Sequence, residues 1–187
     1  MSTVDNIKEQ LNRLQSEQKD GGLRNIRQNA LNAFDKLGIP GVRHEEWKYT
    51  RISALFNKDY QFLLAPTTVT VADIDAIRLP GFEQAHELVF INGIYSPALS
   101  NIRSNEDLVI IPLDEAANNE YAGIVAENLG HSSRYAKDGI NALNTAWMYG
   151  GVFINVKKSR IAANQVYIYN VTDARQGNIL SQPRSLV

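Results

Sequence analysis

The residues able to do chemistry in this chain are few and scattered. Three histidines, His44, His86 and His131, stand 42 and 45 positions apart. None has a second ligand at the H-x-x-x-H or H-E-x-x-H spacing that sets two imidazoles on one helix face around a zinc ion. Glu45 and Glu46 are neighbours, so in a helix or a strand their carboxylates diverge and make no ready acid–base pair. His131-Ser132-Ser133 puts a hydroxyl beside an imidazole. Sequence neighbours seldom reach the nucleophile–base–orienter geometry, however, and no G-x-S-x-G elbow accompanies them. The glycines at 21, 22, 38, 41, 150 and 151 spell neither G-x-x-x-x-G-K nor G-x-G-x-x-G, so no nucleotide cradle is encoded. Tyr167 and Tyr169 share one strand face, where they can stack bases or pack on a neighbouring element. With few cations nearby, packing is the expected role. The residue types therefore lead us to expect no catalytic residue, no cofactor site and no metal site. The alternative is a small cytoplasmic metabolic enzyme whose loops gather Glu45, His86 or His131 with a tyrosine in one pocket.

Composition narrows the classes further. The 187 residues suit one ordinary domain, or a small domain and part of another. A formal charge of −1 removes any general electrostatic case for nucleic acid or an anionic membrane. Lys157, Lys158 and Arg160 are the one short basic cluster, expected at a solvated strand end. The chain contains no cysteine, which excludes disulfides, thiolate zinc, a catalytic cysteine and thiolate ligation of a cluster by these residues. No apolar run approaches the roughly 20 residues of a membrane span. The N-terminus lacks the apolar stretch of a signal peptide, so a cytoplasmic protein is expected. Under that expectation the sequon Asn170-Val-Thr172 carries no meaning.

The elements that must position these side chains follow from period and punctuation. Residues 4–19 carry Ile7, Leu11 and Leu14 on a thin helical stripe that holds only if something docks on it. Residues 23–37 make a stronger helix, with Leu23, Ile26, Ala30, Leu31, Phe34 and Leu37 inward, closed by Gly38 and Pro40. Thr50 is placed to cap a helix over 51–57 whose buried stripe is Ile52, Leu55 and Phe56. Residues 60–66 read as extended. Thr70 and Asp73 have capping-box spacing ahead of a short helix. Residues 88–91 and 108–111 are buried strands, with Asn92-Gly93 a hairpin turn and Pro112 a stop. Residues 114–129 are partly helical. Asp138 caps a helix carrying Ile140, Leu143 and Trp147, ended by Gly150-Gly151. Strands then begin near 152, 166 and 179, a spacing that suits either a stacked or a meandering β-structure. Three regions result: an N-terminal helical region at 1–60, a small α+β unit at 61–150 and a β-structure from 151 to 187.

One segment is more informative than the rest, Arg43-His-Glu-Glu-Trp-Lys-Tyr-Thr50. Physically it reads as a helix junction anchored by the rings of Trp47 and Tyr49. It follows Leu37-Gly-Ile-Pro40 and, with that turn, resembles a signature of the SufB/SufD family, nearest its SufD branch. Three more blocks resemble the family in the same order: Leu88-Val-Phe-Ile-Asn-Gly-Ile-Tyr-Ser96; Ala142-Leu-Asn-Thr-Ala-Trp-Met148 with Gly151-Val-Phe-Ile-Asn-Val156; and Gln182-Pro-Arg-Ser-Leu-Val187. The resemblance covers nearly the whole chain.

The resemblance implies an α+β protein in which an N-terminal helical region and a small α+β unit lead into the first strands of a β-helix. That solenoid is cut short at 187, so strands 152–187 are expected side by side with an open edge that a second copy can join. It also implies a non-catalytic subunit of the SufBCD scaffold complex for iron–sulfur cluster assembly, working with SufB-like and SufC-like subunits. The iron–sulfur cluster and ATP belong to the whole complex, ATP entering through the partner ATPase. Because the family's functional positions lie in later regions, no site residue is carried onto this sequence.

Overall fold

The computed structural model describes residues 3–17, 21–62, 67–103, 105, 107–130, 138–175 and 177–187. Helix α1 (Thr3–Glu17) buries Ile7, Leu11 and Leu14 completely or nearly so. Its thin stripe is held because Leu31 and Phe34 of α2 (Arg24–Leu37), Phe62, and Leu143 and Trp147 close one core around it. Helix α6 (Gly139–Ala146) lies against α2 so closely that a Cβ on Gly139 would stand 1.6 Å from the Gly38 carbonyl oxygen. Gly38 itself sits at φ +63° and donates its N–H to the Phe34 carbonyl, ending α2 as expected. The Asp138 carboxylate accepts from the N–H groups of Ile140 and Asn141, both at 2.9 Å. Asp138→Ala should therefore cost about 1 kcal/mol, read as a lowered midpoint in thermal denaturation. An unchanged midpoint would show that α6 is held by packing alone.

The junction after α2 departs from expectation. Glu45–Trp47 and Ile52–Asn57 are 3-10 turns, and the residue preceding the second is Arg51, which makes no side-chain cap. The second segment is kinked at Phe56, whose φ of −88° and ψ of 15° are non-helical, so Phe56 does not continue the face of Ile52 and Leu55. Phe56 thus packs on the α1–α2 core while Leu55 is 56% exposed. Trp47 is only half-buried and Tyr49 is 89% exposed, so the junction is not anchored by two buried rings.

Strand β1 (Tyr60–Gln61) is short, and the remainder of the extended stretch expected to residue 66 lies largely outside the described residues. Helix α3 (Val71–Asp75) opens on the Thr70–Asp73 box, with the carboxylate accepting from the Thr70 N–H at 2.7 Å and its hydroxyl at 2.8 Å. Strand β2 (His86–Ile91) is buried along its entire length. Leu88 and Phe90 enter one core and Val89 and Ile91 another, as a strand covered on both faces requires. Asn92 and Gly93 both take positive φ, +53° and +84°, and turn the chain into β3 (Ile94–Tyr95). Strand β4 (Leu108–Pro112) runs into two short helices, α4 (Leu113–Ala116) and α5 (Ala122–Asn128).

The last three strands do not lie beside one another. β5 (Val152–Val156) pairs antiparallel with β4, β6 (Val166–Val171) pairs parallel with β2, and β7 (Asn178–Ile179) pairs parallel with β1. Even spacing along the chain does not dictate neighbours. The buried strands β2 and β4 each needed a partner, and β5 and β6 supply them. The chain then returns. Leu186 forms a parallel bridge with Phe153, accepting from the Ile154 N–H and donating to the Val152 carbonyl, each at 2.9 Å. The architecture is mixed α+β, with small sheets and helices on one scaffold. Among the described residues no helix is long and apolar enough to cross a membrane.

Candidate functional site

The residues singled out for chemistry are kept apart. His44 is exposed in the turn after Gly41, its Nδ1 within 3.1 Å of the Gly41 nitrogen. His86 is 4% exposed at the start of β2. His131 lies outside the described residues. Glu45 and Glu46 face solvent on the first 3-10 turn. Among the described residues no three histidine, aspartate or glutamate side chains gather at metal-binding distance. Tyr167 and Tyr169 meet edge to face at 6.3 Å. The Tyr167 hydroxyl donates to the Pro80 carbonyl, while that of Tyr169 accepts from the Leu79 N–H. Both rings therefore fasten the segment after α3 onto β6, which is the packing role. Burial pushes the Tyr169 phenol up from its ordinary value. Lys157, Lys158 and Arg160 are exposed on the loop after β5, with Arg160 3.3 Å from Asp107.

Charged groups that the sequence did not single out are the better-built features. Arg27 sits on the buried stripe of α2 between Leu23 and Leu31, so helical spacing alone could have marked it. Its guanidinium meets Asp114 at 2.6 Å and the Met148 carbonyl at 2.8 Å, and lies 4.3 Å above the Tyr149 ring. Burial raises the Tyr149 phenol above its usual value. Glu87, 2% exposed, accepts from Arg78 Nε at 3.2 Å, and Arg78 also pairs with Asp75. At the surface, Arg175 grips Asp173 through Nε at 2.7 Å and Nη2 at 2.9 Å, and these hydrogen bonds hold the carboxyl down to about 2. Hydrogen bonds from Thr70 likewise lower Asp73. The Arg27 and Arg78 pairs fix elements to one another, whereas Asp73, Asp173 and Arg175 line one surface hollow together.

Two surface hollows mix apolar and polar lining, the first with Asn29, Asn141 and Thr145 and the second with Asp73, Thr172, Asp173 and Arg175. A groove of about 410 Å³ is lined by Ile26, Ala30, Ala33 and Leu37 of α2, facing Leu129 and Ala142. A second, of about 490 Å³, has Val69, Ile74, Ile77 and Val171 beneath the Asp173–Arg175 pair.

What the arrangement does offer is a ladder. β6 is the outer strand of its sheet, and the 184–186 stretch lies outside β5. Arg184 secures that stretch: its N–H donates to the Gly150 carbonyl, and its guanidinium donates to Asn144 and Thr145 on α6. Gln182 accepts from Asn144 at 2.9 Å. Burial lowers the Arg184 guanidinium from its ordinary value. Such a surface presents backbone donors and acceptors to another strand.

The fold is a mixed α+β arrangement of small sheets whose outer strands expose backbone groups. The chain belongs to the SufB/SufD family: the family profile described as the SufBD protein N-terminal region matches residues 4–168. It is similar to the iron–sulfur cluster assembly SufBD family protein of Synechocystis sp., with 31% identity over 173 residues, 90% of this chain and 37% of that protein. It is also similar to the iron–sulfur cluster assembly protein SufD of Escherichia coli, with 32% identity over 74 residues, 40% of this chain and 16% of that protein. The chain thus spans little more than a third of the first relative's length.

Proposed function

We propose that this chain forms the N-terminal part of a non-catalytic, SufD-like subunit of the SufBCD complex, a cytoplasmic scaffold for iron–sulfur cluster assembly. Its partners are SufB-like and SufC-like subunits. The cluster is the cargo of the complex, and ATP is handled by the partner ATPase. Membership of the family supports the process. The observation that carries the structural side is the parallel bridge between Phe153 and Leu186. Successive strands β5, β6 and β7 each enter a different sheet, and the chain then returns parallel to β5. One circuit of a solenoid has this form, with each circuit stacking on the one before. In this reading the helices of 1–60 cover the start of a β-helix, and the lack of cysteine leaves thiolate ligands to other parts of the complex.

The test is to tag the protein in its native host and pass the purified material over a sizing column. Co-elution with a SufB-like and an ATPase subunit is the expected result, together with loss of activity of cluster-dependent enzymes when the gene is deleted. A protein that elutes alone, and whose deletion leaves those enzymes unaffected, would overturn the proposal. Among the described residues no observation favours the small metabolic enzyme, since Glu45 is on a solvent-facing turn and His86 is buried in β2.

A further inference from the structure

His86 is a buried imidazole that the proposed scaffold role does not use. Three hydrogen bonds tie the segment 101–103, which leads into β4, to the first two residues of β2. Glu87 and Asn101 exchange both backbone bonds, at 2.9 and 2.8 Å, and the Arg103 N–H donates to His86 Nδ1 at 3.2 Å. Only the last involves a group that titrates near neutrality. We propose that His86 is an acid-released latch: its neutral ring holds the 101–103 segment on β2, and proton uptake at Nδ1 lets that segment go.

The argument is geometric. A ring nitrogen that accepts a hydrogen bond must be unprotonated, and an imidazolium has two donors and no acceptor. Protonation would leave two N–H donors at one point, inside a site where the ring is 4% exposed. Among the described residues the surroundings do not compensate. The segment itself brings Arg103, a cation, and across the strand pair stand Gln165 and Val166, which are uncharged. Glu87 is adjacent in sequence, but alternation along β2 sends its carboxylate to the other face, where Arg78 occupies it. Burial, followed by the Arg103 charge, lowers the ring's affinity for a proton below the ordinary histidine value. The sign follows: the folded state binds fewer protons than the unfolded chain, so this contribution is complete above about pH 6.5 and is lost as the pH falls below it.

The test follows the Arg103 amide by hydrogen exchange in the whole protein, corrected for the intrinsic pH dependence of exchange. Between pH 6.5 and pH 5 the wild type should lose protection by up to about tenfold per pH unit, the linkage expected for one proton. In His86→Asn the Oδ1 can take the place of Nδ1 as acceptor but does not titrate, so protection should be retained and stay flat with pH. Equal protection of the wild type at pH 7 and pH 5, or a variant as pH-sensitive as the wild type, would overturn the latch. Should the variant fail to fold, the wild-type ring resonances decide the matter by NMR: titration of His86 at or above about 6.5 overturns the proposal, and titration below it, coincident with release of the Arg103 amide, supports it.

Discussion

Arg78→Ala is expected to lower stability by about 3–5 kcal/mol in urea denaturation. The reason is the partner it leaves behind. Glu87 is 2% exposed on β2, and Arg78 Nε stands 3.2 Å from its carboxylate. Removing the cation leaves the buried charge with the Tyr169 hydroxyl as its remaining side-chain donor, which costs far more than an exposed ion pair ever contributes. The same logic makes the compensating change informative. Arg78→Met combined with Glu87→Leu removes both charges and keeps the bulk, so it should recover most of the loss. A single variant within about 0.5 kcal/mol of wild type, the range of ordinary surface substitutions, would mean that the Tyr169 hydroxyl or water suffices to hold the Glu87 charge.

The second large effect is expected at Gly151. Its φ is +152°, and a Cβ there would stand 1.6 Å from the Arg184 carbonyl oxygen. Gly151→Ala must push back the returning 184–186 stretch, at a cost of about 2–3 kcal/mol from overpacking and backbone strain. The Ile154 and Leu186 amides, which bond across this contact, should lose their exchange protection together. Gly41→Ala is the control, because nothing lies within 4 Å of a Cβ at that position. If Gly151→Ala keeps both amides protected, the return of the chain along β5 is not held there.

Features written in a few adjacent residues could be read from the sequence. The Asp138 cap, the Thr70–Asp73 box, the Gly38 stop and the Asn92-Gly93 turn each depend on hydrogen bonds or dihedral freedom within four residues. Partner choice could not be read in this way. Tyr60 meets Asn178, and His86 meets Val166, across separations that no local pattern encodes. The 3-10 form of Ile52–Asn57 was hidden because its apolar residues fit an α-helical stripe equally well. Arg27 could have been noticed, since a cation at the centre of an apolar helix stripe must be buried with a partner or be pointed away. Glu87 could not, because only the pairing of β2 on both faces shows that the residue before Leu88 is enclosed. The family resemblance reached the family itself, carried by four ordered blocks of sequence, but not the pairing, since the strands it implied to be neighbours enter three different sheets.

The return of Leu186 to Phe153 also bears on how such a chain tolerates changes in length. Residues 157–165, between β5 and β6, are almost all solvent-facing, with Ser159 at φ +63°. An insertion there lengthens a corner and leaves every inward side chain where it was. One extra residue inside β5 is different, because Val152 and Phe153 point into separate cores and would exchange them. Natural variants of this protein should therefore gather their insertions and deletions in the 157–165 loop, while the length of β5 stays fixed.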